Sequence, residues 1–319
     1  MKKLKVAVIG IGHLGKEHAR IYHELEDVEL VAICDLDPSK QERADALGTK
    51  FATDYREILN SVDAASVVTP TYSHYTIGKE VLNAGVHALI EKPITNRLDH
   101  ADELLDIARQ KNLTLQVGHL ERYNAGYRRI EQLSHDIRFI EVHRLGPFNP
   151  RVKDCGVVLD LMIHDLDIVL HLVRSEIESI DAIGINVLTP FEDIANVRMK
   201  FKNKAIADLT ASRLTPEAQR KIRIFQEDAY ISLDYVAQSA QIFKKKDFPA
   251  SLIGGAISRE QIDIEKEEPL RAELKDFAQS VARGTSHGKP DVAARKALSV
   301  ALDILKSIKD NQPKPLHAR

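Results

Sequence analysis

The sequence predicts an α/β protein in two parts: a doubly wound parallel sheet, then an α+β domain with a large, mostly antiparallel, open-faced sheet. Three observations carry this expectation. Over the first 120 residues, short apolar runs alternate with segments whose apolar residues recur at three- and four-residue spacing. Past residue 120 the texture changes to runs that alternate apolar with polar residues, as in Asn196-Val197-Arg198-Met199-Lys200-Phe201. A length of 319 residues also exceeds what one core usually organises, so the boundary divides the chain into domains 1–120 and 121–319.

The apolar runs of the first part are Leu4–Ile9, Glu29–Cys34, Ala64–Val68, Val86–Ile90 and Thr114–Val117, read as buried parallel strands. Helices are expected over Leu14–Leu25, Ser39–Leu47, Ser73–Ala84 and Leu98–Lys111, with a shorter one near Tyr55–Leu59. Pro38 and Ser39 suit a helix start, and Gly48 and Gly85 sit where a helix end needs positive φ. Repeated strand–helix units of this length form right-handed crossovers that cover both faces of a sheet. In the second part, helices are expected over Arg122–Leu133, Val157–Val173, Leu270–Ala282 and Val292–Ile308. Strands are expected over Ile177–Leu188, Asp193–Phe201, Lys204–Leu214, Lys221–Gln226, Tyr230–Asp234 and Ala240–Phe243. One face of that sheet is left for water or for another subunit.

Composition narrows the class of function. A net charge of −2 gives the molecule no general attraction to nucleic acid or anionic membrane, and the run Lys244-Lys245-Lys246 reads as a solvated turn. The two cysteines, Cys34 and Cys155, stand far apart and imply neither a disulfide framework nor a zinc site, so no metal is expected. The basic start Met1–Lys5 precedes an apolar run too short for a signal peptide, and no stretch approaches a membrane span. A cytoplasmic protein is expected.

The first strand runs directly into Gly10-Ile11-Gly12-His13-Leu14-Gly15 and then a helix. A lone G-x-G-x-x-G is a weak signal, but here it has the strand before it and the helix after it that its mechanism requires. Gly10 makes the tight turn, Gly12 lets backbone approach a pyrophosphate, and Gly15 lets the helix pack close to its strand. The helix N-terminus offers N–H groups and the positive end of its dipole to the phosphates, so His13 and Leu14 also count as cofactor-binding. The second strand ends at Asp35, about 20 residues beyond Gly15, where an acid hydrogen-bonds ribose hydroxyls and repels a 2′-phosphate. No Arg or Lys follows until Lys40, which favours NAD over NADP. These features together define an N-terminal Rossmann domain.

Ligands of such sheets sit outside the carboxyl ends of the strands. Val68-Thr69-Pro70-Thr71 ends one strand and Ile90-Glu91-Lys92-Pro93 the next. Pro93 cannot continue a central strand, so the chain turns outward there and Lys92 stands at the cofactor edge, where a cation lowers the pKa of a reacting hydroxyl. Position alone leaves open an ordinary surface lysine. Farther along, Asp160 and His164 are spaced to share one face of a helix, with Asp167 on a similar face. An imidazole can take a hydroxyl proton near neutral pH, and a carboxylate beside it would orient it.

Taken together, these residues resemble the Gfo/Idh/MocA oxidoreductases. The likeness rests on Gly10–Gly15, on Ala84-Gly85-Val86-His87-Ala88-Leu89-Ile90-Glu91-Lys92-Pro93 with its Glu-Lys-Pro signature, and on Asp160-Leu161-Met162-Ile163-His164-Asp165-Leu166-Asp167. The closing stretch Pro269–Phe277 is also similar, so the resemblance spans nearly the whole chain. Met162 stands where the family often has glycine, a departure that removes no catalytic group. The resemblance implies that Lys92 and His164 flank the substrate with Asp160 in support, and that Pro70, His74, Glu91 and Pro93 line the cofactor; Thr69, at the same strand end as Pro70, is counted with them. It further implies a homodimer or homotetramer assembled through the second sheet.

Gly118-His119-Leu120-Glu121-Arg122-Tyr123-Asn124, with Asp160–Asp167, resembles the subgroup that oxidises nucleotide sugars such as UDP-N-acetylglucosamine at the 3-position. Arg122 and Asn124 are therefore candidate substrate contacts. So are His143, Arg144, Arg151 and Lys153, in a Gly/Pro-broken electropositive loop over 143–153 that would suit a diphosphate. Alternatives are a dehydrogenase of free sugars or polyols such as inositol or glucose, a reductase of a non-sugar carbonyl or imine, and a non-catalytic NAD-binding sensor.

Overall fold

The computed structural model describes residues 3–150, 155–245, 257–284 and 289–311. The chain divides into two compact units, 1–120 with 268–298 and 121–267 with 299–319. The first unit opens with β1 (Leu4–Ile9), α1 (Gly15–Glu24), β2 (Val28–Cys34), α2 (Gln41–Leu47) and β3 (Lys50–Ala52). It continues with β4 (Ala64–Val67), α3 (Thr71–Asn83), β5 (His87–Glu91), α4 (Leu98–Gln110) and β6 (Leu115–Gly118). Its strands form a parallel six-stranded sheet in the order β3-β2-β1-β4-β5-β6. The order reverses between β1 and β4, which places the carboxyl end of β1 at the topological switch point where α/β sheets bind ligands. β3 escapes sequence reading because it is three residues long with one large apolar side chain. The helix expected near Tyr55–Leu59 is instead two 3₁₀ turns, Tyr55–Glu57 and Leu59–Ser61, the first capped by Asp54 accepting the Arg56 N–H.

The second unit holds α5 (Ala125–Leu133), β7 (Phe139–Leu145), a π-helical turn over Val158–Met162, α6 (Ile163–Val173) and β8 (Ile177–Ile185). Then follow β9 (Ile194–Phe201), β10 (Ile206–Ser212), β11 (Gln219–Phe225), β12 (Ala229–Asp234), β13 (Ser239–Lys245) and β14 (Ile257–Ile262). These strands make an eight-stranded sheet in the order β14-β13-β12-β11-β7-β10-β9-β8. Among the described residues of this sheet, only β7 and β10 pair in parallel. Val197, Met199, Leu209, Ile222 and Ile231 point into the core. The opposite face carries ion pairs such as Arg198–Asp208 and Arg223–Glu141, and at its β8 end Ile183 and Ile185 are 57% and 52% exposed.

β7 corrects the expectation of a loop from residue 143. Its inward positions are Ile140, Val142 and Arg144, so a buried arginine interrupts the apolar pattern that would have announced a strand.

The remaining helices are α7 (Pro269–Ala282) and α8 (Lys289–Asn311). Sequence reading assigns both to the second domain, whereas α7 and residues 289–298 of α8 belong to the first unit. The physical reason for α7 is its apolar face. Leu270, Leu274, Phe277, Ala278 and Val281 join Ile21, Tyr22 and Val28 in the core of the parallel sheet.

Candidate active site

The glycine turn of the first unit is fixed by close contacts. Gly10 has φ +93°, and a Cβ there would lie 2.5 Å from the Val68 carbonyl oxygen. A Cβ on Gly15 would lie 1.8 Å from the Gly10 carbonyl oxygen, so α1 can begin only with hydrogen at that position. Gly12 is different, since a Cβ on it would meet no protein atom within 4 Å. The packing of the protein does not require glycine at this exposed position, and close approach of a ligand to the backbone would. No side chain caps α1, whose N-cap is Leu14, and His13 is exposed on the same turn. Asp35 braces the turn: Oδ2 accepts the Ile11 N–H at 2.7 Å and Oδ1 accepts the Asp37 N–H at 3.0 Å. The nearby cation Lys40 pairs with Asp37 at 3.6 Å. These residues fit a dinucleotide: the uncapped N-terminus of α1 would receive a pyrophosphate, and Asp35 would receive ribose hydroxyls.

Two loops leave the carboxyl ends of β4 and β5, and His74 joins them. Its buried ring lies 2.8 Å from the Pro93 carbonyl through Nδ1 and 2.8 Å from the Thr69 carbonyl through Nε2. Burial drives the imidazole below its ordinary pKa, against the pull of both carbonyls. His74 therefore sets the spacing of the loops that carry Thr69-Pro70 and Lys92-Pro93. Pro70 is exposed, whereas Pro93 is buried after a cis Lys92–Pro93 peptide.

Glu91 lies below Lys92 and accepts its backbone N–H at 3.2 Å. Burial pushes the Glu91 carboxyl up, but His18, with Nε2 at 3.2 Å from Oε1, and Lys92 outweigh that and hold it below its ordinary range. The carboxylate fills the space beside Gly118, where a Cβ would come within 2.8 Å of Oε1. His18 and Gly118 thus support the Glu-Lys-Pro segment. Sequence reading missed both because isolated histidines and glycines carry no spacing signal, although His18 does face inward one turn into α1.

In the second unit, Asp160 lies in the π-helical turn and His164 in the first turn of α6, and both are half-buried. Single turns of π-helix occur frequently at functional sites. The other candidates of this unit are placed differently from the sequence expectation. Asn124 is 3% exposed and caps α5, accepting from the Gly126 and Tyr127 N–H groups and donating to the Tyr235 carbonyl. Its amide therefore has a structural task. Arg122 grips Asp167 through two hydrogen bonds of 2.5 and 2.7 Å. Arg144 is buried, donating to Asp165 at 2.7 and 2.8 Å and to Glu121 at 2.8 Å. Burial alone would favour loss of the Arg144 proton, but the two carboxylates overcome it and hold its pKa above the ordinary value. Arg151 and Lys153 lie outside the described residues. Among the described residues, no group of three or more His, Cys, Asp or Glu could hold a metal ion, and no helix is long and apolar enough to cross a membrane.

Residues 4–119 match the model of the oxidoreductase family with an NAD-binding Rossmann fold, and residues 136–232 match the GFO/IDH/MocA C-terminal domain. The chain belongs to the Gfo/Idh/MocA oxidoreductase family. Within that family it is 35% identical over 306 residues to the UDP-N-acetylglucosamine 3-dehydrogenase of Acidithiobacillus ferrooxidans, covering 95% of this chain and 97% of that protein. A solved structure of that enzyme superposes with a TM-score of 0.90 at 34% identity, over 97% of this chain and 99% of the other. The scyllo-inositol 2-dehydrogenase (NAD(+)) of Bacillus subtilis is 26% identical, covering 99% of this chain and 97% of that one. The protein is thus an enzyme, an oxidoreductase with an NAD-binding Rossmann domain, as its Gly10–Gly15 turn and Glu91-Lys92-Pro93 segment suggest.

Proposed function

We propose that this enzyme oxidises a hydroxyl of a nucleotide sugar to a ketone, with UDP-N-acetylglucosamine and its 3-hydroxyl as the substrate. The near-full-length identity to an enzyme of that name carries the reading. When bound, NAD supplies the hydride-accepting nicotinamide. Thr69, Pro70, Glu91 and Pro93 shape its nicotinamide end with His74 beneath them, while Gly10, Gly12, His13, Leu14, Gly15 and Asp35 hold the diphosphate and adenosine end. His164 takes the hydroxyl proton, Asp160 orients the imidazole, and the Lys92 ammonium stabilises negative charge on the substrate oxygen. Since Asn124 and Arg144 have structural tasks, recognition of the diphosphate falls to Arg151 and Lys153, and Arg122 bears on the substrate as the partner of Asp167. We place the enzyme in the cytoplasm, which its sparse cysteine content suits.

The test is NADH formation by purified protein with NAD and a panel of UDP-N-acetylglucosamine, UDP-glucose, myo-inositol and glucose. Turnover with UDP-N-acetylglucosamine alone supports the reading. Turnover with myo-inositol or glucose but not with the UDP-sugars replaces it by the polyol reading, for which the similarity to an inositol dehydrogenase speaks.

NAD is the preferred cofactor on this reading, because Asp35 is fixed by two backbone N–H groups and Lys40 is held by Asp37. Asp35→Ser removes charged-acceptor hydrogen bonds worth ~1.5–3 kcal/mol, so NAD affinity falls roughly 10- to 100-fold while NADP affinity holds or rises. Calorimetric titration with both cofactors checks this, and an unchanged NAD-to-NADP ratio would sink the preference.

Assembly through the open sheet face gives a further expected result. Ile183 and Ile185 are apolar, exposed and on the face away from the core. Ile183→Asp with Ile185→Asp converts a homodimer or homotetramer to a smaller species in analytical ultracentrifugation. An unchanged sedimentation coefficient would exclude this end of the sheet from the interface.

A further inference from the structure

We propose that Glu192 is a positioning residue for Asp160 and His164, acting through the backbone that leads into the π-helical turn. The inference rests on the reading that gives those two residues their proton-handling roles. Glu192 holds the entry segment from two sides. Its backbone carbonyl accepts the Val157 N–H at 3.0 Å, and its side-chain Oε1 accepts the Val158 N–H at 3.1 Å. The carboxylate occupies the space over Gly156, where a Cβ would lie 2.0 Å from Oε1. Gly156 in turn accepts the Asp160 N–H at 3.1 Å, so a path of direct contacts runs from Glu192 to the backbone of Asp160.

A second group fastens the same segment. Arg213 donates to the Cys155 carbonyl at 3.1 Å and is itself fixed on Asp193 at 2.7 Å and on the Thr189 hydroxyl at 2.7 Å. Asp193 accepts the N–H groups of Val187, Leu188 and Thr189, which ties Glu192 to a rigid loop after β8. Glu192 and Asp193 are both buried. A carboxylate at a helix entrance also meets the positive end of the helix dipole, which favours the geometry seen. A π turn is less regular than the α-helix that follows it, so its entry needs an external hold if Asp160 and His164 are to keep one relative orientation.

The experiment compares Glu192→Gln, Glu192→Asp, Glu192→Ala and His164→Ala in the full-length enzyme, with UDP-N-acetylglucosamine and NAD. Glutamine keeps an oxygen at the Val158 N–H and should retain kcat within about threefold. Aspartate keeps the charge but cannot reach, and alanine removes the acceptor. Both should lose kcat roughly 10- to 100-fold, the cost of a misplaced catalytic group, with KM and the NAD dissociation constant nearly unchanged. Glu192→Asp keeps the test decisive if alanine prevents folding. Three results overturn the proposal: kcat within about twofold of wild type in the Asp and Ala variants, a Gln variant as impaired as Ala, or losses that track the folded fraction. If His164→Ala is inactive while Glu192→Asp and Glu192→Ala match wild type, only this proposal fails. If His164→Ala keeps full turnover, the assignment of His164 falls and takes this proposal with it.

Discussion

Replacing His164 by alanine should lower kcat roughly 10²- to 10⁴-fold, the usual contribution of a positioned general base. NAD affinity should be little changed, because the glycine turn and Asp35 lie in the other unit of the fold. Lys92→Ala should cost roughly 10²- to 10³-fold, since the oxygen that loses its proton then gains charge with no cation beside it. Rapid-mixing measurement of NADH formation separates both effects from cofactor binding. The pH dependence supplies an independent check. A base must be neutral to accept a proton, so wild-type turnover rises with pH until the imidazole is deprotonated, and this limb should vanish in His164→Ala. Wild-type turnover in both variants would remove these residues from the reaction.

Arg144→Met should produce the largest loss of stability. Its guanidinium is buried between Asp165 and Glu121, which it contacts through three hydrogen bonds of 2.7–2.8 Å. Removing one partner of a buried ionic cluster costs ~3–5 kcal/mol, because the remaining charges are left uncompensated. For a unit of this size that lowers Tm by roughly 6–20 °C. The deficit should shrink as pH falls. Burial raises the Asp165 pKa in the folded state, and without Arg144 only the weaker pull of Arg220 opposes that rise. A group with a raised folded pKa binds protons more tightly folded than unfolded, so acid favours the folded form of the variant. Adding Asp165→Leu and Glu121→Gln to Arg144→Met should restore much of the loss at neutral pH. A Tm change below about 3 °C at pH 7 in the single variant would show that the cluster contributes no more than a surface ion pair.

The Rossmann half was legible because its chemistry is local. A turn that tolerates only hydrogen at Gly10 and Gly15, an acid at the end of the second strand and a proline after Glu91-Lys92 are all short-range constraints, and each leaves a fixed trace in sequence. What escaped reading depends on partners distant in the chain. Arg144 looks like a ligand for a diphosphate until Asp165 and Glu121 are found on it. The Asn124 amide is committed to the Tyr235 carbonyl, 111 residues farther along the chain. The same buried Arg144 hid β7 by breaking its inward apolar row. Long-range pairing of like-looking polar residues is the information that spacing does not carry.

The placement of α7 bears on how the protein is made. About 150 residues separate Leu120 from the helix that completes the first unit's core, so on a ribosome adding ~5–20 residues per second the parallel sheet waits on the order of ten seconds for its last cover. During that interval the surface around Ile21, Tyr22 and Val28 is bare of Leu274 and Phe277. A nascent chain of this enzyme therefore exposes apolar surface until α7 is made. A gene fragment ending after the sixth strand should yield aggregate rather than a free-standing nucleotide-binding domain, unless residues 268–284 are supplied in trans.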